Sequence, residues 1–205
     1  MIPVSPQPEP ASFAKDVRTP GTKWLIAKGL HSSAPLRPKT KAPPHWRECL
    51  KDLHRSYGGV CAYLAIYLER CTGGVSVDHF VAKSKRGDQT YEWANYRLAC
   101  TTMNARKRDF SSVLDPFTLA PGTFRLELVT GRIYADPSLS GPQKTSAEVT
   151  IKRLGLDDAG NREMRARRFT EYLELRGTAP TTALREQLRR YCPFIHSEAS
   201  RQGLL

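Results

Sequence analysis

Three short stretches of this 205-residue chain contain residue types that could together hydrolyse a phosphodiester bond. The first contains Asp78 and His79, the second Asn95, and the third Asn104 followed by a cluster of Lys and Arg. A carboxylate and a carboxamide are oxygen donors for a divalent metal, which polarises a phosphate and stabilises the oxygen that leaves it. A neutral imidazole can deprotonate a water, because its pKa ordinarily lies near physiological pH. The three stretches therefore indicate metal-assisted hydrolysis.

Each of these residues also has an ordinary structural interpretation when it is taken alone. An Asp-His pair is common in surface turns, Asn95 could cap a turn, and Asn104 could lie at a helix N-terminus. Their order along the chain favours one shared site instead. The first stretch reads Val-Asp-His-Phe-x-x-Lys-Ser and the last reads Asn-x-x-Lys-Arg-Asp.

On these motifs, the window over residues 59–109 resembles the HNH nucleases, a family with the ββα-metal fold. The resemblance implies a first strand over 75–77 that ends at the Asp-His pair. It implies a second strand over 96–99 and a short helix over 103–108. These elements would bring the three stretches together.

The same resemblance implies a role for each candidate residue. His79 would be the general base, and Asn95 would orient the loop and the histidine. Asp78 and Asn104 would bind the metal, which we expect to be Mg²⁺ (or Mn²⁺) because both ligands are hard oxygen donors. Four basic residues are expected to hold the flanking phosphates: Lys83, Lys85, Arg106 and Lys107.

Many HNH relatives carry two Cys-x-x-Cys knuckles that bind a structural zinc ion through four thiolates. The matching positions here read Cys61-Ala-Tyr-Leu64 and Cys100-Thr-Thr-Met103, so each knuckle lacks its second cysteine. We therefore expect no structural zinc and predict that Leu64 and Met103 form an apolar plug. A role for Cys71 as a third thiolate ligand remains open.

The composition fits a nucleic-acid partner and a reducing compartment. The chain has 32 Lys and Arg against 20 Asp and Glu, a formal net charge of +12. Such a charge attracts phosphates through counterion release, although a generally basic protein or one that docks on an acidic protein would share it. The 5 cysteines are an odd number, and no signal peptide is evident, which predicts free thiols and a cytoplasmic location. No apolar run approaches the ~20 residues that cross a bilayer, so no membrane partner is expected.

The predicted fold class is α+β, in three segments. Residues 1–43 are expected to form an extended, Pro-rich basic arm, which would hold a phosphate backbone or drape over a partner or the core. Residues 44–135 would form the nuclease core, with leading helices and a trailing β-hairpin. Residues 136–205 would be an Arg-rich helical extension of the same domain. Within these segments we predict helices after Pro44 and over 62–69, a hairpin over 124–134, a loop over 137–147 and helices over 149–154, 158–176 and 182–191.

The C-terminal part carries a looser resemblance. Asp115-Pro116, the hairpin, residues 150–156 and the Arg-rich helix resemble the HNH subunits of bacterial anti-phage systems, of the Septu and retron-linked types. This likeness implies a nuclease that works beside an ATPase subunit in antiviral defence. The sequence therefore predicts a DNA endonuclease. A non-catalytic, basic DNA-binding or scaffold subunit and an HNH nuclease that acts on RNA remain open.

Overall fold

The computed structural model describes residues 1–36, 40–177 and 180–205, and the chain separates into two compact units. The N-terminal unit comprises Ser5–Gly59 and Leu68–Ser111. The C-terminal unit comprises Met1–Val4, Val60–Tyr67 and Ser112–Leu205. Each unit combines α-helices with one two-stranded antiparallel sheet, so the chain belongs to the predicted α+β class.

The N-terminal unit contains two strands and three α-helices in the described residues. They are α1 (Thr19–Ala27), α2 (Leu50–Ser56), β1 (Val75–His79), β2 (Tyr96–Cys100) and α3 (Thr101–Lys107). The strands pair antiparallel, from Val75 opposite Cys100 to His79 opposite Tyr96. Strand, strand and helix follow one another as the sequence predicts, with slightly shifted boundaries.

The expectation of an extended arm over residues 1–43 is wrong for its middle part. A π-helical turn at Ala14–Arg18 continues directly into α1, and Phe13, Val17 and Leu25 are buried in the core. The Phe13 ring packs edge-on against Trp93 and Tyr96, with ring centroids 5.5 and 5.7 Å apart. The prolines before residue 11 do exclude a helix there, but the apolar side chains after them share one helical face.

Two further observations tie this segment to the unit. A side chain at Gly21 would overlap the ring of Tyr91, so α1 approaches that ring more closely than another residue would permit. Arg18, a basic residue of the predicted arm, forms ion pairs with Glu9 and Glu92. Two other basic residues of the predicted arm, Arg37 and Lys39, lie outside the described residues.

The helix predicted after Pro44 is present, although it begins as a 3₁₀ turn at His45–Arg47 and becomes α-helical at Leu50. Cys49 and Leu53 are buried on its apolar side.

The second predicted helix, over 62–69, is absent from the described residues. This segment instead doubles back so that Val60 and Tyr67 form an antiparallel bridge, with Ala65 at a left-handed φ of 51°. A helix is incompatible with that backbone. The periodicity of a short apolar run does not distinguish a helix from an extended segment.

The C-terminal unit consists of a hairpin and four helices in its described part. The elements are β3 (Phe124–Leu126), β4 (Ile133–Ala135), α4 (Gly141–Leu154), α5 (Ala159–Leu175), α6 (Thr181–Tyr191) and α7 (Pro193–Arg201). The predicted hairpin is confirmed, with Leu126 opposite Ile133. Helix α4 begins inside the predicted loop, because Ser140 and Gln143 form a capping box. Helix α7 was not predicted.

Two of the four arginines of α5 are held by contacts within this unit. Arg165 is buried, and its guanidinium donates hydrogen bonds to the carbonyl oxygens of Gly131, at 2.7 Å, and Leu156. Arg162 pairs with Asp157. These contacts connect α5 to the hairpin turn and to the end of α4.

Over the described parts of the chain, no helix is both long and apolar enough to cross a membrane.

Candidate active site

The N-terminal unit has a cleft of about 360 Å³ that brings together the predicted general base and both predicted metal ligands. Asp78 and His79 reach it from the end of β1, and Asn104 reaches it from α3. The Asn104 Nδ2 group donates hydrogen bonds to the Val77 carbonyl, at 3.1 Å, and to the Ser76 hydroxyl, at 3.2 Å. These bonds fix the side chain beside β1, next to Asp78. The cleft is lined by Trp46, Val77, Asp78, His79, Ala82, Lys83, Ser84, Asn104, Arg108 and Asp109.

The imidazole of His79 is held on three sides. Its Nε2 lies 2.9 Å from the carbonyl oxygen of Thr90, so Nε2 carries the proton and donates it, which leaves the lone pair on Nδ1. The rings of Trp46 and Tyr96 meet the imidazole edge-on, with centroids 4.9 and 5.1 Å away. The ring therefore has one tautomer and one orientation.

Burial also sets the protonation state of His79. The pKa of the imidazole is lowered from 6.5 to about 3, chiefly by desolvation and next by the positive charge of Lys83. The hydrogen bond to Thr90 opposes this shift, while the charge of Lys107 adds to it. At neutral pH His79 is therefore an uncharged proton acceptor.

Asn95 lies behind the cleft and closes the loop between β1 and β2. Its Oδ1 accepts a hydrogen bond from the Val81 N–H at 2.7 Å. Its Nδ2 donates to the carbonyl oxygens of Val81, at 3.0 Å, and Gln89, at 2.9 Å. Because Gln89 precedes Thr90, this buried amide fixes the backbone that holds His79. Through these three bonds the Asn95 amide holds Val81 and Gln89 together at the base of the loop.

The prediction that Lys107 binds a phosphate is wrong, because its side chain is fully buried. Its ammonium lies 3.4 Å from Asp78 Oδ2 and donates hydrogen bonds to the carbonyl oxygens of His79, at 3.1 Å, and Phe80, at 2.8 Å. A buried charge requires such partners, since its loss of hydration is otherwise uncompensated. Lys107 thus joins α3 to the end of β1 and neutralises part of the Asp78 charge.

The other predicted phosphate-binding residues differ in their positions. Lys83 lines the cleft, with its ammonium 3.9 Å from the centroid of the Trp46 ring, and burial lowers its pKa. Lys85 is exposed on the loop, Arg106 lies on α3, and neither lines the cleft.

Two residues that line the cleft, Arg108 and Asp109, were not assigned a role from the sequence. They directly follow Lys107 in the Asn-x-x-Lys-Arg-Asp motif. Because Asn104 reaches the cleft from α3, the end of that short helix was the signal that could have identified them.

Asp78 and Asn104 fit a hard divalent cation. The Asn104 amide nitrogen already uses both of its hydrogens on Ser76 and Val77, which leaves the amide oxygen as a donor to a cation. Within the described ranges, no group of three or more His, Cys, Asp and Glu side chains is arranged to hold a metal. A site with one carboxylate, shared with Lys107, would bind Mg²⁺ weakly unless a phosphate completed the shell.

No protein-family profile and no curated protein sequence matches this chain. A functional assignment therefore rests on the residues of the cleft and on their geometry. The likeness to HNH nucleases remains an interpretation of the motifs at Asp78, Asn95 and Asn104.

Proposed function

We propose that this protein is a metal-dependent endonuclease of the HNH type that hydrolyses phosphodiester bonds in DNA. The observation that carries the proposal is the cleft in which Asp78, His79 and Asn104 meet at the end of an antiparallel strand pair and a short helix. The formal net charge of +12 supports a polyanionic substrate.

In the proposed reaction, a water attacks the phosphorus atom and gives its proton to Nδ1 of His79. The bond from phosphorus to the 3′ oxygen breaks, and that oxygen takes a proton from solvent, which leaves a 5′ phosphate. The Thr90 carbonyl holds the Nε2–H of His79 and stabilises the imidazolium as it forms. A divalent cation held by Asp78 and Asn104 would supply positive charge for the leaving oxygen.

The protein also shields and orients the proton acceptor. Trp46 and Tyr96 restrict the imidazole ring, and Asn95 keeps the loop that carries Thr90 in place. Fixed orientation matters because a general base is effective only within hydrogen-bond reach of the proton that it removes. Lys83 contributes a cation at the cleft wall, suited to a phosphate oxygen.

A second candidate function is a non-catalytic DNA-binding subunit. The ion pair between Lys107 and Asp78 favours it, because an ammonium already neutralises the carboxylate that would bind the metal. This alternative keeps the basic surface and the fold but predicts no cleavage.

The decisive test compares wild-type protein with His79→Ala on a supercoiled plasmid and on a structured RNA, with Mg²⁺, with Mn²⁺ and with EDTA. We expect the wild-type protein to nick or linearise the plasmid only when Mg²⁺ or Mn²⁺ is present. The cleavage rate of His79→Ala should be lower by a factor of about 10²–10⁴. His31→Ala is the matched control, because His31 is exposed and does not line the cleft. DNA binding and the thermal melt should be unchanged in the control.

Two results would contradict the proposal. Cleavage by His79→Ala at the wild-type rate would place the active site elsewhere. Absence of metal-dependent cleavage by the wild type, with intact DNA binding, would favour the non-catalytic subunit. Cleavage of RNA alone would keep the chemistry and change the substrate.

We extend the proposal to bacterial anti-phage defence beside an ATPase subunit, supported by the motif order from Asp115 through α5. In bacterial cells that contain this protein together with its ATPase subunit, the wild type should reduce the number of phage plaques, and His79→Ala should not. Equal protection by both proteins would separate any defence role from the cleft.

A further inference from the structure

Arg108 ends α3 in a backbone conformation that residues with a side chain seldom adopt. Its φ is 51° and its ψ is −126°. Glycine occupies this region easily, whereas a Cβ atom crowds the neighbouring backbone. The Arg108 N–H nevertheless donates a hydrogen bond to the Asn104 carbonyl at 3.1 Å, so the strained residue forms the end of the helix. Backbone strain in a residue other than glycine is common where a side chain must take a particular place.

The Arg108 side chain lines the cleft that contains Asp78, His79 and Asn104. Among the described residues that line the cleft, two are cations, Arg108 and Lys83. Lys83 is half-buried and stacked on Trp46, whereas Arg108 is exposed.

The Arg108 guanidinium is in no ion pair within the described ranges, and Asp109 beside it does not pair with it there. Arg97, by contrast, is buried and donates hydrogen bonds to the carbonyl oxygens of Ala94 and Tyr96. Arg108 is therefore a guanidinium at the cleft whose donors remain available to a ligand.

We propose that Arg108 binds the non-bridging oxygens of the phosphate that is cleaved, and this inference rests on the function proposed above. A guanidinium offers two parallel N–H donors that match two phosphate oxygens, which an ammonium does not. Negative charge builds on these oxygens as water attacks phosphorus, so the contact strengthens in the transition state. Arg108 would thus act on the rate of the chemical step more than on the affinity for DNA.

The backbone of Arg108 provides an unusual variant for the test. Arg108→Gly removes the guanidinium and also relieves the strained conformation, so the thermal melt should be equal to that of the wild type or higher. A loss of activity in this variant cannot then be attributed to unfolding. Arg108→Lys keeps the charge without the paired donors, and Arg70→Ala is the control for loss of one exposed arginine in the same unit.

Single-turnover cleavage of a short duplex in Mg²⁺ should slow by about 10²–10³ in Arg108→Gly, as for loss of one donor to a charged transition state. Arg108→Lys should recover only part of that loss, and Arg70→Ala should cut at the wild-type rate. The dissociation constant for uncut duplex in EDTA should change far less than the rate. Wild-type cleavage by Arg108→Gly would overturn the role of Arg108 and leave the proposed nuclease standing.

A separate measurement keeps the inference testable if the wild type does not cut nucleic acid. The affinity for duplex DNA is then measured against salt concentration. A phosphate contact by Arg108 should reduce the log–log slope by about one in Arg108→Gly relative to Arg70→Ala. Equal slopes would overturn the contact, and absence of cleavage by the wild type would separately overturn the nuclease.

Discussion

Replacement of Lys107 by methionine should destabilise the protein strongly, even though methionine matches the length of the lysine stem. The Lys107 ammonium is fully buried, 3.4 Å from Asp78 Oδ2, and donates to two carbonyl oxygens at the end of β1. Its removal leaves a buried carboxylate without this counter-charge, which typically costs about 3–5 kcal/mol. This figure includes the hydrogen bonds of the ammonium, so the two carbonyl groups that lose a donor are not counted separately.

The assay is urea denaturation of wild type and Lys107→Met, first in EDTA and then with Mg²⁺. In EDTA we expect a difference of about 3–5 kcal/mol in the free energy of unfolding. Mg²⁺ should narrow that difference, because a cation on Asp78 replaces the lost charge and binds the folded state alone. At a hundred times its dissociation constant, such a ligand adds about 2.7 kcal/mol. Lys85→Met is the control, since an exposed lysine should change stability by less than about 0.5 kcal/mol.

Two results would refute this reasoning. A difference below about 1 kcal/mol in EDTA would mean that Asp78 does not depend on the Lys107 charge, contrary to the usual cost of removing one partner of a buried ion pair. An equal difference with and without Mg²⁺ would mean that no cation binds at Asp78, and the proposed metal site would be wrong.

Three further outcomes follow from the cleft. Asn104→Ala should lose activity at low Mg²⁺ and regain part of it at high Mg²⁺ or with Mn²⁺. The test is the cleavage rate of this variant as a function of metal concentration. A rate that does not depend on metal concentration would exclude Asn104 as a ligand. Asn95→Ala should lower the rate without changing the metal dependence, and hydrogen exchange should rise in the loop between β1 and β2; unchanged exchange would show that other contacts hold this loop. Because burial lowers the pKa of His79 from 6.5 to about 3, the unfolded chain binds the additional proton between these values, so stability should fall as pH drops through that interval. The test is the denaturation midpoint of wild type and of His79→Gln, measured across this pH interval. If the two midpoints fall equally as pH drops, the prediction is refuted.

The resemblance of the motifs to HNH nucleases implies β1, β2 and α3, and these elements are present with slightly shifted boundaries. Asp78 and His79 end a short apolar strand, and Asn104 begins the motif of α3, so their approach follows from the order of elements. The burial of Lys107 was missed because composition assigns a basic residue to the surface. The spacing carried a clue, since Asn104 and Lys107 lie three residues apart and share one face of α3.

The N-terminal segment shows a different limit of sequence reasoning. Its prolines dominate the composition, whereas the spacing of Phe13 and Val17, one helical turn apart, indicates a buried face. The rings that pack against this face, Trp93 and Tyr96, are distant in sequence, so local spacing does not identify them. Deletion of residues 1–43 would therefore remove core side chains, and it could not serve as a test of DNA contact.

In the proposed nuclease, the loop between β1 and β2 would separate recognition from chemistry. Asn95 closes its base through three hydrogen bonds, and the same base carries the carbonyl that holds His79. The tip at Ser84, Lys85 and Arg86 is exposed. Substitutions or insertions at the tip can therefore alter what the cleft accepts while the imidazole keeps its place. The loop is accordingly the natural position at which to diversify this scaffold toward new substrates.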